Sequence, residues 1–147
     1  MLKGIVAHDE DLCIGWDNKM LWHYKEDLQR LKALTMNKTC IVGSKTYDWL
    51  KQYRPNADHL PPYTKETYIL HRDNKDWILK NTEHNVARVL WGAMAFKELL
   101  PYIDELYVTL VPGHHNGDAY MPEYRDKFEL VEEEKSGELT YQIYKKI

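Results

Sequence analysis

Short apolar runs alternate along this chain with stretches whose apolar residues recur every three or four positions. That alternation is the signature of an α/β domain. Residues 2–7, with Leu2, Ile5, Val6 and Ala7, read as a first buried strand. A polar, turn-rich loop follows over 8–22, with Gly15 and Asp17-Asn18. Residues 25–34 fit a helix with Leu28, Leu31 and Leu34 at helical spacing. Further strands are expected over 39–42 running into Gly43, then over 67–70, 86–90 and 106–111. Helices are expected over 46–50 and over 94–100, the second ended by Pro101. Residues 128–134 and 139–145, around Ser136-Gly137, read as an antiparallel pair at the sheet edge.

The stretch 51–66 holds Arg54, Pro55, Pro61 and Pro62. It reads as a surface loop, because either side alone is too small to fold well. One domain over 1–147 is therefore expected, with no internal repeat.

Charge limits the partners. The net charge is −3 and the basic residues are scattered, without the stripe a nucleic-acid binder carries. A small anionic ligand needs only local positive charge. The opening MLKGIVAHDED meets acidic residues after a few apolar ones, so neither a signal peptide nor a membrane partner is expected. Cys13 and Cys40 are too few for a disulfide framework or a zinc site, which points to a cytoplasmic protein. His114 and His115 are adjacent and point opposite ways in an extended chain, so no metal is expected. Neither G-x-S-x-G nor G-x-x-x-x-G-K-[ST] occurs.

Asp27 is the most informative position. It precedes Leu31 and Leu34 by four and seven residues, which puts a carboxylate on the apolar face of a helix. A buried carboxylate is costly unless something binds it, and a lone acid in an apolar cleft suits an amidine-like heterocycle held by two hydrogen bonds. An acid near a helix start also serves as a cap, and spacing does not separate the two readings. In CIVGSKTYDWL, Gly43 lets a backbone approach while Ser44, Lys45 and Thr46 add donors at a helix N-terminus. His71-Arg72 follows a strand end, where open α/β sheets meet ligand phosphates, and Trp91-Gly92-Ala93 is a similar junction. Each of these three also fits plain packing or a solvated surface.

Taken in order, these segments resemble the dihydrofolate reductase family over nearly the whole chain. The matching stretches are IVAHDEDLCIGWDNKMLW, KEDLQRLKALTMNKTCIVGSKTYDWL, YILHR, VLWGAMAFKELLPYIDELYVT and NGDAYMPEY. The I-G-x-x-N-x-x-x-W loop, the acid five residues past the Trp, the N-K-x-x-I-x-G-x-x-T run and G-D-x-x-x-P are jointly specific. The resemblance implies a three-layer fold, with helices flanking a mixed, mostly parallel sheet that ends in an antiparallel C-terminal hairpin. It implies a monomeric reductase that uses NADPH on dihydrofolate.

Residue by residue, the resemblance implies that Asp27 holds the pterin through its 2-amino group and ring nitrogen, braced by Thr109. Trp22 would position a water, and Met20 would lie in a loop closing over the nicotinamide. Ile5, Ala7 and Leu90 would line the pterin pocket, and Leu28, Leu31 and Leu50 would wrap the aminobenzoyl group. Lys65, or else Arg54, would meet the glutamate carboxylate. On the cofactor side it implies Ala7, Ile14, Gly15, Asn18, Met20, Gly43, Ser44, Lys45, Thr46, Leu70, His71, Leu90, Gly92, Ala93, Met94, Ala95 and Phe96, with Arg72 near the adenosine 2′-phosphate.

The sequence departs from the family pattern at several points. Trp91-Gly92 stands for a Gly-Gly pair, Ser44 for a common Arg and Leu21 for a common Pro, and the 51–66 segment is longer than usual. The nearest rival reading is a same-fold reductase acting on a riboflavin-pathway pyrimidine, against which Asp27 at this distance from Trp22 speaks. A relative that kept the fold and lost turnover is the other.

Overall fold

Alternation along each strand decides which face of the sheet each side chain serves. The computed structural model describes residues 1–15, 24–53, 55–56, 64–90 and 93–147. In chain order these form β1 (Leu2–His8), β2 (Cys13–Gly15), α1 (Lys25–Thr35), β3 (Thr39–Gly43), α2 (Ser44–Tyr53) and β4 (Glu66–Leu70). They continue with α3 (Lys75–Thr82), β5 (Ala87–Leu90), α4 (Ala93–Leu99), a 3-10 turn (Leu100–Tyr102), β6 (Ile103–Leu110), β7 (Ala119–Tyr120), β8 (Phe128–Ser136) and β9 (Leu139–Lys146).

Seven strands make one sheet in the order β4-β3-β5-β1-β6-β9-β8. The first five run parallel, and β9 and β8 are antiparallel. On one face Ile5, Cys40, Val42 and Leu90 pack with Leu31 of α1. On the other, Val6, Ile41, Val89 and Val108 meet Phe96, Leu99, Tyr124 and Phe128. Gly4 permits the close approach on this second face: a Cβ there would lie 2.5 Å from Leu106 Cδ2 and 3.0 Å from Phe96 Cε1.

Register carries the ends of the parallel strands to one edge. Gly43 pairs with Leu70, Val42 with Leu90, and Ala7 with Thr109. Open α/β sheets bind ligands outside such an edge.

A buried polar knot closes β1 there. Asp9 is fully buried, and its Oδ1 accepts the backbone N–H groups of Asp11 (2.8 Å) and Cys13 (2.9 Å). Its Oδ2 accepts the N–H of His115 (2.7 Å) and sits 3.0 Å from His115 Nδ1. Burial alone would push this carboxyl up, but the donors from Cys13, His115 and Asp11 together hold it below the ordinary value. Next to it, buried His8 places Nδ1 2.7 Å from the Asp9 carbonyl, so that nitrogen donates and Nε2 is left to accept from Tyr124 Oη at 2.7 Å. Burial drives the His8 pKa down, in keeping with a neutral ring.

The structure is the three-layer arrangement anticipated from the sequence, with some differences of detail. Helix α2 is longer than the anticipated 46–50. The α-helix before Pro101 stops at Leu99, and Pro101 sits inside a 3-10 turn. Helix α3 had no clear signal, because only Ile78 and Thr82 of its residues are buried. The small β2–β7 sheet, pairing Cys13 with Tyr120, is too short for alternation to reveal. Among the described residues no helix is long and apolar enough to cross a membrane.

Candidate active site

Asp27 is the third residue of α1, on the turn that faces the sheet. Tyr24 caps that helix without a side-chain bond, so Asp27 is not its cap. The Asp27 carboxylate instead accepts a 2.6 Å hydrogen bond from Thr109 Oγ1 on β6. At 9% exposure it is a buried acid, and Thr109 is its one side-chain donor among the described residues. Burial pushes its carboxyl up. The Thr109 bond and the Arg30 charge pull it down, Glu26 pushes it up, and the balance lies above the ordinary value. The helix N-terminus favours a negative charge at this position as well.

The start of α1 is tied down by the β8–β9 hairpin. Ser136 Oγ donates to Glu26 Oε1 at 2.5 Å, and Tyr24 Oη to Glu138 Oε2 at 3.3 Å. Cross-strand pairing puts Ala7, Thr109 and Tyr141 side by side on this face, beneath Asp27. Ile5, Leu31 and Leu90 form the adjoining apolar wall. Leu28 is 41% exposed on the outer side of the cleft, and Leu50 is half-buried on α2. Lys65 is exposed, and its backbone N–H bonds to the Lys38 carbonyl. Lys38 lies just past the C-terminal end of α1, so Lys65 sits beyond the opposite end of that helix from Asp27.

The second half of the edge is formed by β3, β4 and β5. Gly43 hands over to Ser44, Lys45 and Thr46 at the start of α2, with Lys45 exposed and the other two half-buried. His71 and Arg72 are exposed after Leu70. Asn74 staples their turn: its Oδ1 accepts the His71 N–H at 2.7 Å and its Nδ2 donates to the Ile69 carbonyl at 2.8 Å. Ala93 and Met94 are half-buried at the start of α4. Ala95 and Phe96 are fully buried in the core, so their side chains pack there and only their backbone is left for a ligand. Ile14 is half-buried and Gly15 pairs with Ala119. Asn18, Met20, Leu21, Trp22, Arg54, Trp91 and Gly92 lie outside the described residues. Among the described residues no group of three or more His, Cys, Asp or Glu side chains is arranged to hold a metal.

Two residues beside Asp27 escaped the sequence reading. Arg30 places its guanidinium 4.4 Å over the Tyr141 ring and reaches Thr109 Oγ1 at 3.5 Å. Its spacing of three residues from Asp27 was a usable signal. Tyr141 came from distant pairing and was not readable.

Comparison with known proteins agrees with this arrangement. Residues 1–146 match the family model described as dihydrofolate reductase. A dihydrofolate reductase of Buchnera aphidicola subsp. Acyrthosiphon pisum is 32% identical over 126 residues, covering 82% of this chain and 78% of that protein. One from Staphylococcus aureus (strain MSSA476) is 26% identical over 129 residues, covering 84% and 79%. A solved dihydrofolate reductase from Enterococcus faecalis, complexed with NADP(H) and RAB-propyl, superposes with a TM-score of 0.79 at 26% identity. It covers 99% of this chain and 96% of its own.

Proposed function

The chain belongs to the dihydrofolate reductase family, and we propose that it reduces 7,8-dihydrofolate to 5,6,7,8-tetrahydrofolate with NADPH, as one domain over residues 1–147. The observation that carries this reading is the buried Asp27 carboxylate, bonded by the Thr109 hydroxyl and facing the cleft between α1 and the strand ends.

The cofactor fits the other half of the edge. Among the described residues a Cβ on Gly43 would touch only Met94 Cε at 3.6 Å and Ala95 Cβ at 3.9 Å, which leaves the backbone there open to a ligand. Ser44, Lys45, Thr46 and the α2 N-terminus would hold its phosphates, and Arg72 the 2′-phosphate. When bound, NADPH supplies the hydride that the pterin accepts at C6.

The chain's own residues do the rest. Asp27 grips the amidine-like edge of the pterin and fixes the ring in the cleft, while Ala7, Ile5 and Leu90 wall off water on the apolar side. The N5 proton comes from solvent, because no described acid other than Asp27 faces the pocket, and Asp27 is engaged with the ring edge. The ionised Asp27 favours that proton electrostatically. Lys65 meets the glutamate carboxylate as a point charge. The buried thiols Cys13 and Cys40 suit a reducing cytoplasm.

Loss of NADPH absorbance on adding dihydrofolate, beside a parallel run with the riboflavin-pathway pyrimidine, tests the reading. Turnover only with the pyrimidine, or with neither, rejects it.

Two substitutions probe the cofactor half. Gly43→Ala meets only ordinary contacts among the described residues, so the melting temperature should hold. Crowding of the ligand by about 1–3 kcal/mol should raise the KM for NADPH roughly tenfold or more. Arg72→Ala should reduce the NADPH-over-NADH efficiency ratio about tenfold, the scale of one charge-assisted bond. An unchanged ratio would place the 2′-phosphate elsewhere.

A further inference from the structure

We propose that Arg30 is a positioning residue of the pterin site: its guanidinium, stacked on Tyr141 and reaching Thr109, supplies the counter-charge that keeps the Asp27 carboxylate ionised and its hydroxyl partner aimed. This rests on the proposed role of Asp27.

The geometry runs in one direction. Arg30 has donors only, so at 3.5 Å from Thr109 Oγ1 it can only offer a proton to that oxygen. The Thr109 hydroxyl is then free to point its own proton at Asp27 Oδ1, 2.6 Å away. A donor-only group at one end and an acceptor-only carboxylate at the other thus set the hydroxyl rotor between them. Such chains polarise one another in a low-dielectric site. The Tyr141 ring, 4.4 Å beneath the guanidinium, is the platform that holds it. Tyr141 is itself paired in register with Thr109. Sheet pairing therefore sets the spacing between platform and hydroxyl.

The electrostatics agree. Burial pushes Asp27 up, and the Arg30 charge is one of two influences opposing it. On α1 the groups facing Asp27 are Arg30 and Glu26, and Glu26 raises its pKa. Around the guanidinium lie Tyr107 of β6, Tyr141 of β9 and Glu134 of β8, along with Asp27 itself. Burial first, and then Glu26, push the Tyr141 hydroxyl up to about 12. It therefore stays neutral through the range in which Asp27 titrates. Asp27 and Arg30 together leave the pocket close to neutral, where Asp27 alone would leave it anionic.

The direct test is carbon NMR titration of the Asp27 carboxyl in the full chain, with its resonance assigned by loss in Asp27→Asn. Arg30→Met should raise that pKa by about one unit or more, the usual effect of losing a neighbouring opposite charge. Arg30→Lys should hold it near the parent value. The acid limb of kcat/KM for dihydrofolate should move by the same amount in Arg30→Met and be rescued in Arg30→Lys. Should Arg30→Met fail to fold, Arg30→Gln removes the same charge while keeping a polar stem. A charge-removed variant titrating with the parent overturns the proposal. The NMR arm needs no turnover, so an enzyme that fails to reduce dihydrofolate would defeat the proposed function and leave this coupling measurable.

Discussion

Asp27→Asn is expected to lower kcat/KM for dihydrofolate by roughly 10²- to 10³-fold at neutral pH, the scale for removing one preorganised charge at a reacting centre. The loss should shrink in acid, where the free substrate already carries part of its proton. The substitution keeps shape, and an amide oxygen still accepts the Thr109 hydrogen bond, so charge is the main thing removed. Stability should move the other way. A carboxyl whose folded pKa lies above its unfolded value holds its proton more tightly when folded. Its ionisation therefore weakens folding as pH rises from the unfolded value through the folded one. At neutral pH the variant should melt at or above the parent temperature. A variant that loses both turnover and stability would mean Asp27 is structural; equal turnover at neutral pH would mean it is not the pterin ligand.

The second large effect belongs to Asp9. Asp9→Ala removes the fully buried acceptor shared by the N–H groups of Asp11, Cys13 and His115, of which the Cys13 bond is buried and the other two part-buried, at a cost of about 3 kcal/mol. For a chain of this length that lowers the melting temperature by roughly 10 °C. The pH sign is opposite to that of Asp27. The folded pKa of Asp9 is depressed, so its contribution is complete above the ordinary value of about 3.9 and is lost as pH falls through the folded one. The gap between parent and variant should accordingly narrow as pH falls through the folded value. A gap that stays constant on acidification would show that the carboxylate charge is not what holds the turn. Because this knot joins the end of β1 to the segment after β6, its loss should also weaken substrate binding at the strand ends.

The parallel sheet was legible because buried strands such as 39–42 and 86–90 are nearly continuous apolar runs. Helix α1 was legible because Leu31 and Leu34 keep helical spacing. Asp27 was visible as an acid on an apolar face. Its two readings separated only when a distant strand brought Thr109 to it, 82 residues away in sequence. The same long-range pairing hid Tyr141. The Asp9 knot is invisible for another reason: its partners are mainly backbone N–H groups, which every residue but proline carries. At Phe96 only the backbone is left for the expected cofactor contact, since helix α4 turns that side chain into the core.

In the proposed reaction a ring held by Asp27 receives hydride from the nucleotide along the strand ends. Dihydrofolate incubated with the enzyme and NADPH deuterated at both C4 positions should therefore yield tetrahydrofolate carrying a single deuterium at C6. Product without deuterium there, or label found only in solvent, would contradict it.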